Sequence, residues 1–252
     1  MNRFSSAAIV LGASNYAESD RIVTMLGREV GKLRALARGA RRSTRRFGAG
    51  LGLFSVGTAE LSEKGSSELL TLDSFDCVRG FPGLTADLGR IAYAGYGAEL
   101  VREICAWRHP EPSIFDLLVE FFSLIETDPL RPELLRVFEL RLLQEHGLRP
   151  ELERCVRCGE IVQDEAGQGV DGSRGGVVCG RCGLARHCAV DGEARRALLE
   201  AQSLPLSDHR ALDLAPAVNR QARQAMAALI EAQIGKPLQS VAFINKLNQA
   251  AP

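Results

Sequence analysis

The sequence predicts an α+β chain of several domains: a small N-terminal β-barrel, an all-α helical domain, and a four-cysteine insert that interrupts the helices. Three observations predict it. Short runs rich in Ile, Val and Leu, punctuated by glycine, fill residues 5–80. From residue 82 the apolar period lengthens to that of helices, and two Cys-x-x-Cys pairs lie in a glycine-rich polar stretch at 155–188. The 252 residues are 46% hydrophobic and 25% charged, which excludes a disordered or collagen-like chain. No run of about 18 apolar residues occurs, so no membrane span is expected. The apolar run at 7–11 passes into polar and acidic residues, so no signal peptide is read and a cytoplasmic location is expected.

The strands come first. Residues 7–11 and 22–26 are β-rich runs around a loop that begins at Asn15. Gly31 takes the next turn, and 32–36 alternates basic and apolar residues as a half-exposed strand does. Residues 51–61 follow, where Gly52 and Gly57 permit bends in a curved sheet. A turn at 64–67 leads to a last strand at 68–75. Five such strands suit closure into a barrel, whereas a sandwich fragment would leave exposed edges.

Helical patterns then run over 85–107, from Ser113 as an N-cap with Asp116 three residues on, and over 133–146 between Pro132 and Gly147. Others are 193–202, 216–234 closed by Gly235 and Pro237, and 239–247. The expected division is 1–80 for the barrel, 81–154 and 190–252 for the two parts of the helical domain, and 155–189 for the insert.

The insert reads Cys155-Val-Arg-Cys158-Gly and Cys179-Gly-Arg-Cys182-Gly, with twenty residues between Cys158 and Cys179. Zinc takes four thiolates in a tetrahedron, and two tight turns supply two each. The segment has too few large apolar residues to hold together by burial, so it needs a staple. One structural zinc on Cys155, Cys158, Cys179 and Cys182 is expected. A redox pair would sit on a strand-to-helix turn, and a catalytic zinc would keep an open position. His187 or Cys188 lies near enough in sequence to replace one ligand. His109-Pro-Glu111 is superficially like the His-x-Glu of zinc deaminases, but no Pro-Cys-x-x-Cys follows it. Cys77 and Cys105, in apolar surroundings, are read as buried packing thiols.

A net charge of zero conceals an asymmetry. Residues 1–80 carry twelve Lys and Arg against eight Asp and Glu, and 28–46 holds eight basic residues against Glu29 alone. Guanidinium groups match phosphates bidentately, and binding releases counterions. A solvated charged loop is the other reading. On an OB-type barrel, whose face and adjoining loops bind single strands, nucleic acid is favoured. The candidate DNA-binding residues are Lys32, Arg34, Arg38, Arg41, Arg42, Arg45 and Arg46. Aromatic platforms are few (Phe4, Tyr16, Phe47, Phe54, Phe75), so phosphate-dominated binding with little sequence preference is expected. There is no Walker A loop, Gly-x-Ser-x-Gly or His-Glu-x-x-His, and the chain is read as not an enzyme.

Tyr16-Ala-Glu-Ser-Asp-Arg-Ile-Val-Thr followed by Gly31-Lys-Leu-Arg-Ala-Leu-Ala-Arg-Gly-Ala-Arg-Arg resembles the RecO family of bacterial DNA repair proteins. Leu51-Gly-Leu-Phe54, the Glu68-Leu-Leu-Thr-Leu strand, the four-cysteine insert and the ending Gly235-Lys-Pro-Leu-Gln-Ser extend the resemblance over nearly the whole chain. Val241 stands where the family has a basic residue after the closing serine, so no role is carried to it. The resemblance implies an OB-fold, a helical domain and a zinc ribbon. It further implies a recombination mediator that binds ssDNA and dsDNA, anneals complementary strands and displaces single-strand-binding protein. It would engage that protein's C-terminal tail and, with RecR, help load RecA, as a nucleoid-associated protein. A zinc-ribbon transcription or translation accessory protein, binding RNA or polymerase, is the alternative.

Overall fold

Five strands form the N-terminal barrel in the computed structural model, which describes residues 2–47, 51–63, 69–163, 168–183 and 188–250. They are β1 (Asn2–Tyr16), β2 (Asp20–Gly27), β3 (Gly31–Ala37), β4 (Val56–Glu63) and β5 (Leu70–Arg79), closed in the order β1-β2-β3-β5-β4. Every pairing is antiparallel except β3 with β5, where Ala35 faces Leu70 and Leu36 faces Thr71. This is the expected closed five-stranded barrel. Alternation sends Val10, Val23, Met25, Leu33, Leu61 and Leu72 inward, where Phe47 and Leu51 join them.

β1 is much longer than the run at 7–11 because it serves two partners. Residues 2–9 pair with β4 and 8–16 with β2, with a register shift between Val10 and Gly12. β4 begins later than expected, after a turn in which Phe54 takes φ 71. A Cβ on Gly57 would lie 2.2 Å from the Asp76 carbonyl, so only glycine lets β5 approach there. The expected turn at 64–67, and Glu68, lie outside the described residues. One helical turn, α1 (Thr44–Phe47), stands within the basic segment between β3 and β4.

α2 (Leu88–Ile104) is capped by Asp87, whose carboxylate accepts from the Arg90 amide at 2.9 Å. It stops three residues short of Trp107. The chain there runs beside β3 instead, with Trp107 in a parallel bridge to Lys32 and the Arg108 amide on the Lys32 carbonyl at 2.8 Å. α3 (Pro112–Thr127) opens on Pro112 with no side-chain cap. Asp116, expected in a capping box, instead takes Arg28 in a two-pronged pair at 3.1 and 2.7 Å. Phe122 of α3 meets Phe54 and Phe81 edge-on, with centroids 5.2 and 5.7 Å away. The chain divides by compactness into residues 1–128 and 129–252, so α2 and α3 belong with the barrel. The sequence division near residue 81 follows the change of texture, and the apolar outer wall of the barrel draws the next two helices into its own unit.

The second unit holds α4 (Pro132–Glu145), the short strands β6 (Gly169–Asp171), β7 (Gly176–Val178) and β8 (Cys188–Ala189), then α5 (Gly192–Ser203), α6 (Pro216–Ile234) and α7 (Gln239–Ala250). Pro132 opens α4 and Gly235, left-handed at φ 73, closes α6, both as predicted. The strands form a small antiparallel sheet in the order β7-β6-β8. Its turn is seated on α6 closely enough that a Cβ on Gly172 would lie 2.1 Å from the Ala228 carbonyl. Among the described residues, no helix is long and apolar enough to cross a membrane.

Candidate metal centre and nucleic-acid interface

In the second unit, residues 151–162 fold back on themselves: Arg154 and Ile161 form an antiparallel bridge, and the Gly159 amide donates to the Cys155 carbonyl at 2.8 Å. This tight turn presents Cys155 and Cys158. A second one presents Cys179 and Cys182, with the Cys182 amide on the Cys179 carbonyl at 3.0 Å. Gly159 (φ 76) and Gly183 (φ 92) supply the left-handed residues that return the chain, which accounts for a glycine after each pair. The four Sγ atoms all lie within 4.8 Å of one another, and Cys158 and Cys179 are 3.8 Å apart. A tetrahedron with metal–sulfur bonds of about 2.3 Å has sulfur–sulfur edges of about 3.8 Å. The donor set therefore fits a thiophilic tetrahedral cation.

The electrostatics agree. Burial alone would raise the Cys155 thiol, but the amides of Cys179, Cys158 and Arg157 aim at its sulfur and bring it down to about 6. The Cys182 amide lowers Cys179 in the same way. Cys182, hydrogen-bonded first by Cys158 and then by Cys179, is pushed up to about 12, so a cation entering the group displaces a proton there. Arg157 ties the two turns together, donating to the Cys182 carbonyl at 3.0 Å and to Asp171 of β6 at 3.5 Å. Among the described residues, the apolar support beside Cys155 is small: Val162, Val177 and Val178, with Val156 partly buried against them.

Cys188 stands in β8 opposite Val170 and does not join the group, which corrects its reading as an alternative ligand. His187 lies outside the described residues. Cys105 is buried, and burial pushes its thiol well above the usual range. Cys77, expected to be buried, is exposed. β5 runs past its last core residue, Phe75, so residues 76–79 are in solvent on both sides.

In the first unit, the structure divides the basic residues. Arg34, Arg38, Arg41, Arg42 and Arg46 are exposed. Arg45 lies in α1, its side chain outside the described ones. Lys32 is only 6% exposed, with its ammonium on the Arg102 carbonyl at 2.5 Å and 4.5 Å from the Trp107 ring centroid. It is thus removed from the phosphate-facing set, because the end of α2 covers it. The arginine segment is an ordered rim. The Gly39 amide donates to Asp20 at 2.8 Å, the Arg41 amide to the Ser19 carbonyl at 3.0 Å, and the Arg41 guanidinium to the Glu18 carbonyl at 2.9 Å. Arg46 reaches back to the Arg38 carbonyl at 2.7 Å, and Phe47 anchors α1 in the barrel core. The Gly39 amide, with Ser19 and Arg38, holds the Asp20 carboxyl below its ordinary range.

Known proteins match this sequence over nearly its whole length. Residues 1–81 match the family model described as Recombination protein O N terminal, and residues 85–242 the one described as Recombination protein O C terminal. The DNA repair protein RecO of Anaeromyxobacter dehalogenans (strain 2CP-C) is 43% identical over 249 residues, covering 98% of each chain. That of Myxococcus xanthus (strain DK1622) is 36% identical over 250 residues, covering 97% of this chain and 98% of the relative. That of Geobacter metallireducens is 34% identical over 248 residues, covering 98% and 99%. The barrel with its arginine rim, the helices and the four-cysteine group all fall within these matches, and the chain belongs to the RecO family of DNA repair proteins.

Proposed function

We propose that the chain is a recombination mediator: it binds ssDNA and dsDNA through the arginine rim of its barrel and anneals complementary strands. With RecR it helps load RecA onto single strands coated with single-strand-binding protein, whose C-terminal tail it engages. The observation that carries this reading is the ordered rim on which Arg38, Arg41, Arg42 and Arg46 stand exposed. Family membership supports the role in DNA repair and recombination, and the full-length similarity favours it over a transcription or translation accessory protein. Residues 1–128 carry fifteen Lys and Arg against sixteen Asp and Glu, so any affinity for phosphates must come from the local cluster rather than the unit's charge. Annealing asks only that two backbones be neutralised side by side, and no residue is assigned a catalytic step. The four thiolates hold one zinc whose role is structural, and the protein works at the nucleoid in the cytoplasm.

The test is salt dependence. Each phosphate neutralised on a single strand contributes about −0.7 to the slope of log affinity against log salt. Replacing Arg38, Arg41 and Arg42 together with Ala should flatten that slope by about 2 and weaken binding evenly across base sequences, with annealing falling in step. Wild-type affinity and slope in the triple variant would reduce the rim to a solvated charge run. A pull-down with single-strand-binding protein, with and without its tail, reads the partner separately.

A further inference from the structure

The barrel contributes few aromatic side chains to its outward face, yet one is delivered from outside it. On β3, Lys32, Arg34 and Leu36 alternate with the buried Leu33, Ala35 and Ala37. Arg34 faces Thr24, which faces Gly12, and Leu36 faces Ile22, which faces Ser14. This strip is built of small and aliphatic residues. At its Lys32 end the chain leaving α2 lies parallel to β3 and places Trp107 there, 53% exposed. The Lys32 ammonium, fixed on the Arg102 carbonyl, sits 4.5 Å from the indole centroid and holds the ring in place from one side. At the opposite end, beyond Ala37, begins the arginine rim. From Lys32 to Arg38 is six residues of strand, about 20 Å, room for a few nucleotides.

We propose that Trp107 is a stacking platform for an unpaired base of single-stranded DNA whose backbone runs along the outward face of β3, past Arg34, to the arginine rim. The inference rests on the DNA-binding reading above and adds the surface that recognises bases as distinct from phosphates. Stacking on an indole tolerates every base, so it tells single strands from duplexes without imposing a sequence. A ring already fixed by Lys32 loses little freedom when a base covers it. Arg34, exposed on the strip between the indole and the rim, is placed to meet a backbone phosphate.

Trp107 is the chain's single tryptophan, so its intrinsic emission reports this position alone. The full-length protein is titrated with oligothymidylate and with an abasic oligonucleotide of equal length, each carrying a label whose anisotropy reads binding independently. Oligothymidylate should quench the indole and shield it from acrylamide, while the abasic strand should bind without quenching. Trp107→Ala should weaken oligothymidylate binding roughly tenfold, leaving the salt slope and abasic affinity unchanged. Trp107→Phe should keep most of the affinity, which separates stacking from a folding defect. Binding by anisotropy with an unquenched indole, equal quenching by the abasic strand, or an unaffected Trp107→Ala variant would overturn the stacking role and leave the mediator reading standing. Absence of any oligonucleotide binding would overturn both.

Discussion

Lys32 and Arg34 stand two residues apart on the same side of one strand, and only Arg34 is exposed. Alternation in the sequence places both outward correctly, because a strand repeats every second residue. What it does not carry is the covering of that side by the end of α2, seventy residues later. The consequence is measurable. Burial lowers the Lys32 ammonium below its ordinary 10.5, so the folded protein binds fewer protons than the unfolded chain in the window just below that value. Stability from this group therefore rises as pH climbs toward 10.5, and the stability of wild type relative to Lys32→Met in denaturant melts should increase over that window. Two of the three thiols outside the four-cysteine group, Cys77 and Cys105, divide in the same way. Both are read as lying in apolar surroundings, but β5 carries Cys77 past the barrel's buried core, where it still pairs with Gly57, whereas Cys105 closes α2 and is buried. Under native metal-loaded conditions a maleimide should label Cys77 rapidly and Cys105 only on denaturation. Rapid labelling that survives the combined change Cys77→Ser and Cys188→Ser would point to Cys105 and contradict the assignment.

Elements were legible where a local signal ends them and blurred where a distant partner does. Pro132 and Gly235 mark the ends of α4 and α6 correctly, because a missing amide proton and a left-handed residue act within one turn. The end of α2 is set instead by the pairing of Trp107 with Lys32, and the length of β1 by its two neighbours, neither of which is local. The four-cysteine insert was the most legible element, since its chemistry is written in its spacing. Its seat on α6 was not, and the two can be tested apart. Cys158→Ala should abolish stoichiometric zinc, and chelation should unfold residues 151–183 locally while the barrel keeps part of its DNA affinity. Gly172→Ala touches no ligand but drives a Cβ into the Ala228 carbonyl. It should cost about 2–3 kcal/mol in thermal or denaturant unfolding while zinc content stays unchanged. Loss of zinc in Gly172→Ala would show that seat and site are one device.

At the scale of the whole molecule, the change from strand to helix near residue 81 is a change of texture, and the compact unit continues to residue 128. The reason is apolar and specific. Ile9, Leu11, Leu26, Phe54 and Phe81 are buried yet lie outside the barrel's inner core, and Phe122 of α3 covers the last two. Burying a large side chain contributes roughly 1.5–3 kcal/mol, so exposing Phe54 and Phe81 alone would remove about 3–6 kcal/mol. A small domain has only about 5–15 kcal/mol in all. A fragment of residues 1–81 should therefore unfold or self-associate, with a broad melt by circular dichroism and a concentration-dependent mass in sedimentation. A fragment of residues 1–128 should melt in one cooperative step and retain salt-dependent oligonucleotide binding, since the arginine rim, Arg34 and Trp107 all lie within it. A monomeric 1–81 fragment with a melt as sharp as that of 1–128 would mean that the barrel's inner core suffices alone. The two helices would then be an attachment to the nucleic-acid face rather than a condition of its existence.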